Sequence, residues 1–277
     1  MTLLERNAFF KIGIILCSIS ALFVAAASFL IFPALTEIME EYTSRPVNFF
    51  QLLTGFFIGN NYYAVYVSLA ASVFYSLVSI VFIHFFFERT SSPEILYIAI
   101  FTISFALEAV RFVVPLQHIF GFSLFYVSLA AKILLFTRFF SIFSLFTAGL
   151  CAAGLEVQKT RNVIIVLIAA AMVITIGLPI DSSTWDTSLN IINSYNSMFT
   201  WVSAAAFVTT MISFLIAARI RDTREYISIA IGVVLALAGR GFVVNVDNWI
   251  GLIPGIILLS IGTVILCSKL HKIHLWL

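Results

Sequence analysis

From Tyr62 to Phe87 the chain reads YYAVYVSLAASVFYSLVSIVFIHFFF, with no Asp, Glu, Lys or Arg anywhere in it. A helix needs about 20 consecutive, mostly apolar residues to cross bilayer hydrocarbon. This stretch exceeds that length. Apolar segments recur on both sides of it, at about 12–32, 95–114, 125–155, 163–180, 198–218, 226–244 and 250–268. With 62–87 they predict about eight transmembrane helices joined by short loops. The fold class is therefore all-α, a polytopic membrane helical bundle forming a single transmembrane domain over 1–277. The apolar run inside 46–60 is too short to cross and reads as an interfacial or re-entrant segment.

Composition agrees with that reading. Of 277 residues 62% are apolar and 10% charged, with 29 Phe, and the mean hydropathy is +1.11. A water-facing domain carries about 25% charged residues, so no separate soluble domain fits. A net charge of +2 is too small to suggest nucleic acid as a partner. Cys17, Cys151 and Cys267 lie scattered in apolar segments, which argues against a disulfide framework. They read as small hydrophobes packed between helices. No HExxH, Walker loop, GxSxG elbow or paired metal-holding carboxylates occur. The expectation is a protein that is not an enzyme and uses no cofactor or metal.

Orientation follows from the basic residues of alternate loops. One side receives Arg6, Lys11, Arg89, Lys159, Arg161, Arg219, Arg221, Arg224, Lys269 and Lys272. The other receives Arg45 alone, with Glu37, Glu40, Glu41, Asp181, Asp186 and Asp247. Both termini are expected in the cytoplasm, in a bacterial inner membrane. The acidic loop with Glu37, Glu40 and Glu41, the Pro115–Ser123 loop and the polar loop Asp181–Ser197 are expected outside. Ala25-Ala26-Ala27 offers a signal-cleavage site, but apolar residues continue to Phe32, which favours an uncleaved anchor. Pro33, Pro115, Pro179 and Pro254 fall near span ends and read as helix stops or kinks. In the third span Ser92 can cap, Pro93 suits the first helical position and Glu94 favours the positive dipole end.

Charges inside spans carry more information, because each costs about 2.5–3.5 kcal/mol on insertion scales and they mark function. Glu108, Arg111, Lys132, Arg138 and Arg240 are such residues. At about 1.5 Å of rise per residue, Glu108 and Arg240 lie about 21 Å from the inner boundary. Arg111 and Arg138 lie about 26–27 Å out, and Lys132 near 36 Å, beyond a core of about 30 Å. Glu108 and Arg111 are three residues apart and can pair on one helix face. Arg138 and Arg240 then lack an obvious carboxylate within the spans, although Asp247 could serve one of them. A positive, partly dehydrated layer near the outside suits an anion or a lipid headgroup, since guanidinium holds carboxylate and phosphate bidentately. The candidate ligand-binding residues are Glu108, Arg111, Arg138 and Arg240. Lys132 is six residues from Arg138, about 120° around the helix, and is the weakest member. The competing reading is structural pairing between helices, with the outermost side chains snorkelling to the interface.

Other polar residues say less. His84 reads as a half-buried histidine at the inner interface, and His118 as a loop residue that either joins the pocket or is solvated. His271 and His274, with Lys269 and Lys272, form a basic C-terminal tail suited to anionic headgroups. Tyr62, Tyr63, Trp185, Trp201, Trp249 and Trp276 fall near span ends, as an aromatic belt does.

The run Tyr66-Val67-Ser68 to Phe87 ends in Glu88-Arg89-Thr90. The next span opens Glu94-Ile95-Leu96-Tyr97-Ile98-Ala99-Ile100-Phe101 and continues through Ser104-Phe105-Ala106-Leu107. Over about residues 66–111 this resembles the opening pair of spans in the bacterial seven-transmembrane receptors with diverse intracellular signalling modules. The resemblance implies a helical body that couples outside sensing to a cytoplasmic output, and the matched residues are structural. Few residues separate Pro33 from Tyr62, and no output module is expected after Leu277. The expectation is a stripped receptor body, or an accessory subunit, that signals through a separate cytoplasmic or membrane partner. Membrane lipids and an anionic ligand are its other expected partners. A small-molecule or lipid transporter and a structural subunit of a membrane complex remain alternatives.

Overall fold

The structure, a computed structural model, describes residues 3–43, 62–88, 90, 92–154, 160–179, 189–190, 196–221, 223, 225–246 and 248–275. The segment at 46–60 and Arg45, Arg89, Lys159, Asp181, Trp185, Asp186, Arg224, Asp247 and Trp276 lie outside the described residues. The helices are α1 (Leu3–Thr43), α2 (Tyr62–Phe87), α3 (Pro93–Ser104), α4 (Val113–Phe120), α5 (Leu124–Ala152), α6 (Thr160–Gly177), α7 (Asn196–Ile220), α8 (Glu225–Val244) and α9 (Trp249–Leu275). A 3₁₀ segment, Phe105–Phe112, joins α3 to α4. Among the described residues there is no strand. The helical membrane bundle read from the sequence is what the structure shows: among the described residues seven rods are long and apolar enough to cross a membrane. The apolar helix Asn162–Gly177, within α6, is shorter than these.

The rod Pro93–Phe120 is the axis of the bundle, with 78% of its apolar window buried against 22% for α1 and α7. Its residues Ile95 to Phe101 are all buried and form the middle of the largest core cluster. By contrast α1 turns Ile12, Ile15, Leu22 and Phe29 outward, a surface that only lipid or another apolar body can cover. Cys17, Cys151 and Cys267 are free and buried, as expected of small packing residues.

One end of the bundle is basic. Arg6 on α1 is buried there and donates to the carbonyls of Phe87, at 2.5 Å, and of Glu88 and Thr90. These are carbonyls that the end of α2 leaves without intrahelical donors, and a cation suits that end of the helix dipole. The Phe87 ring meets His271 of α9 edge-on at 5.4 Å, so the start of α1 and the end of α9 share this end. Arg6 is thus more than a topogenic charge. It ties α1 to the turn before α3.

Several boundaries differ from expectation. Pro33 and Pro254 lie within helices, and Pro179 follows one. The stretch expected as a Pro115–Ser123 loop is helical to Phe120, and Gly121, at φ 64°, supplies the left-handed turn that ends it. Helix α9 runs on to Leu275, so Lys269, His271, Lys272 and His274 stand on a helix rather than in a loose tail. Helices α8 and α9 lie backbone to backbone: a Cβ on Gly239 would stand 2.4 Å from the Leu259 amide nitrogen. That interlock fixes the helix that carries Arg240.

Candidate functional site

The 3₁₀ segment organises the candidate site. At three residues per turn, side chains at i and i+3 eclipse, so Phe105, Glu108 and Arg111 form one column along the central rod. Eight residues is long for this geometry, whose runs rarely exceed three or four. The column carries both charges expected on this span, and both are buried.

Arg138 of α5 reaches across to Glu108, whose side chain is 2% exposed. Its Nε donates to Oε1 and its Nη2 to Oε2, both at 3.0 Å, the parallel fork that makes guanidinium–carboxylate pairs strong. Nη2 also donates to Asn190 Oδ1 at 2.7 Å, and Asn190 Nδ2 donates to the Val244 carbonyl at 3.2 Å. Arg138 is thereby tied through Asn190 to the end of α8. Arg111 stands farther off, its Nη1 3.7 Å from Glu108 Oε2. The expected Glu108–Arg111 pair exists, but Arg138 is the closer partner. The expectation that Arg138 lacks a carboxylate is therefore corrected, because the two helices bring the groups level where sequence depth alone left their facing undefined.

Arg240 enters the same layer from α8. Its Cζ lies 5.4 Å from the centroid of Phe105 and 5.9 Å from that of Phe101, the range of a cation–π contact. It interacts electrostatically with Glu108 and Arg138, yet no described carboxylate pairs with it directly. Its Nη1 is buried and has no hydrogen-bond partner, and the residue is only 7% exposed. Tyr75 closes the floor, its ring 5.1 Å from Phe105 and its hydroxyl 2.5 Å from Thr263 Oγ1.

The structure thus gathers Glu108, Arg111, Arg138 and Arg240 into one layer and leaves Lys132 out. Lys132 is half-buried on α5 and pairs with no described carboxylate, and His118 is exposed on α4. Among the described residues the layer holds three guanidinium groups and one carboxylate. A buried donor left without an acceptor costs about 1–3 kcal/mol, more when charged. An oxygen acceptor, best an anionic one, would satisfy Nη1 of Arg240.

Sequence reading passed over two residues that matter. Asn190 gave no signal, as one polar residue in a polar loop. Glu94 signals in sequence only a favourable place at the helix dipole, although it is 1% exposed at the basic end. Its place fourteen residues before Glu108, roughly the same face of an ideal α-helix, was the available sign. No family model, no curated protein and no solved structure matches this chain.

Proposed function

We propose that this protein is a receptor-like membrane sensor, or an accessory subunit of a larger assembly, that takes an anionic small molecule or lipid headgroup beside Arg240. The observation that carries this reading is the Arg240 guanidinium: buried, resting on two aromatic rings, with Nη1 unbonded. Glu108 is already held by the Arg138 fork, so a guest carboxylate or phosphate oxygen answers Arg240 where no described side chain does. The excess of basic residues at the end holding Arg6 and Arg221 supports a cytoplasmic place for that end. The Arg240 layer then belongs to the outer half of a bacterial inner membrane. The resemblance of residues 66–111 to the seven-transmembrane receptors supports the sensing role, with output through a separate partner.

Native mass spectrometry of the protein extracted in mild detergent tests the reading. Wild type is expected to carry an anionic lipid or small acid that Arg240→Ala loses while keeping its melting temperature. An adduct retained equally by Arg240→Ala, or a wild type with no anion bound, overturns it. Accumulation of that anion inside sealed proteoliposomes would replace sensor with transporter.

A further inference from the structure

We propose that Glu94 and His274 form a proton-binding site at the basic end of the bundle. One proton held between Glu94 Oε2 and His274 Nε2 clasps the last turn of α9 onto the start of α3. The site is separate from the Arg240 layer and does not depend on it.

The geometry begins at the N-terminus of α3. Pro93 occupies the first turn, as expected, and Ser92 takes the extended conformation of a cap residue. Its hydroxyl does not cap, however. It donates instead to Glu94 Oε2 at 2.8 Å. The carboxylate is thereby turned into the bundle, where its other neighbours stand off. His274 Nε2 is 3.7 Å from Oε2, and Arg221 Nη2 is 4.0 Å from Oε1. Neither distance is a normal hydrogen bond.

Histidine 274 settles which hydrogens are where. Its Nδ1 lies 3.0 Å from the Leu270 carbonyl oxygen. A carbonyl only accepts, so Nδ1 carries the hydrogen. A neutral imidazole has one such hydrogen, and Nε2 would then present a lone pair to a carboxylate. Two acceptors facing each other in a buried site repel. One added proton reverses this, whether it sits on Nε2 or on Oε2, and draws the two atoms together.

The surroundings leave this proton as the adjustable charge. From α3 come Glu94 and Tyr97, whose hydroxyl is buried and unbonded. From α5 comes Cys151, whose carbonyl accepts weakly from Arg221 Nη2 at 3.5 Å. Arg221, at the end of α7, lies over the Tyr226 ring of α8 at 5.5 Å, with its side chain 33% exposed. Lys269 and Lys272 of α9 are taken by Glu225 of α8, at 2.8 and 2.6 Å. His271 faces Phe86 and Phe87 instead.

The sign of the pH effect follows from the proton count. The clasped form binds one proton more than the open form, so rising pH favours opening. The clasp joins the start of the central rod to the end of α9, and α9 is locked to the helix bearing Arg240.

Hydrogen exchange of the full chain in detergent micelles, corrected for the intrinsic pH dependence of amide exchange, tests the clasp. Protection of the α9 amides from Leu270 to Leu275 is expected to fall at least about tenfold between pH 6 and pH 8. His274→Gln and Glu94→Gln should both make that protection independent of pH. Should Glu94→Gln fail to fold, the partly exposed His274→Gln carries the comparison alone. Protection that is flat in wild type, as a bridging water would give, overturns the proposal. So does an undiminished pH dependence in His274→Gln.

Discussion

Glu94 and Glu108 stand on the same rod, both almost wholly buried, and are held in opposite ways. Glu108 receives two 3.0 Å hydrogen bonds from Arg138, with Arg111 behind it. Glu94 receives one bond from its own turn, while Nε2 of His274 and Nη2 of Arg221 stand off at 3.7 and 4.0 Å. The first arrangement is a permanent weld between the central rod and α5. The second is a contact that a proton or a side-chain movement can make or release. Buried charge alone therefore does not say whether a site is structural or adjustable; the completeness of its hydrogen bonds does.

The sharpest way to break the comparison is Glu108→Ala. It removes the carboxylate that Arg138 and Arg111 share, and removing one partner of a buried pair typically costs about 3–5 kcal/mol. Unfolding in mixed micelles measures this. A loss below about 1 kcal/mol would mean that Glu108 is no weld. Gly239→Val comes next, because the added side chain drives α8 off the α9 backbone; overpacking costs about 1–3 kcal/mol. It should also displace Arg240 from Phe105 and lower anion retention in native mass spectra. Retention at wild-type level would show that the interlock does not position Arg240.

Glu94→Gln should be mild by comparison, with a loss below about 1 kcal/mol at pH 8 and a larger one at pH 6, where the clasp would hold its proton more fully. Equal losses at the two pH values would place Glu94 with Glu108 as a weld. The smallest effect belongs to Lys132→Ala. It should change stability by no more than about 0.5 kcal/mol, as ordinary surface substitutions do, and leave the bound anion in place. Loss of the anion in that variant would enlarge the site beyond Glu108, Arg111, Arg138 and Arg240.

The charged layer was legible in the sequence because charge in an apolar span is rare and depth can be counted along a helix. Depth is one coordinate of two, however. It placed Glu108 about 21 Å and Arg138 about 27 Å from the inner boundary, close enough to meet, but said nothing about which faces they present. Depth alone assigns Arg138 no carboxylate, whereas in the structure it holds Glu108 more closely than Arg111 does. The 3₁₀ winding that stacks Phe105, Glu108 and Arg111 is invisible to an α-helical count. Arg6 was legible as a charge beside a span, but not as the group that closes the end of α2.

The sequence by itself determined that this chain is a membrane bundle, since uncharged runs such as 62–87 have no stable place in water. It also determined that five charges lie within or beside the hydrocarbon. Only the tertiary structure decided how those charges are shared, why Arg240 Nη1 is left unbonded, and that Glu94 meets His274 across the bundle. The physical reason is that hydrophobic burial adds up along the chain and can be read from it. Hydrogen bonds between distant side chains depend on the rotation and packing of whole helices, which no local stretch encodes.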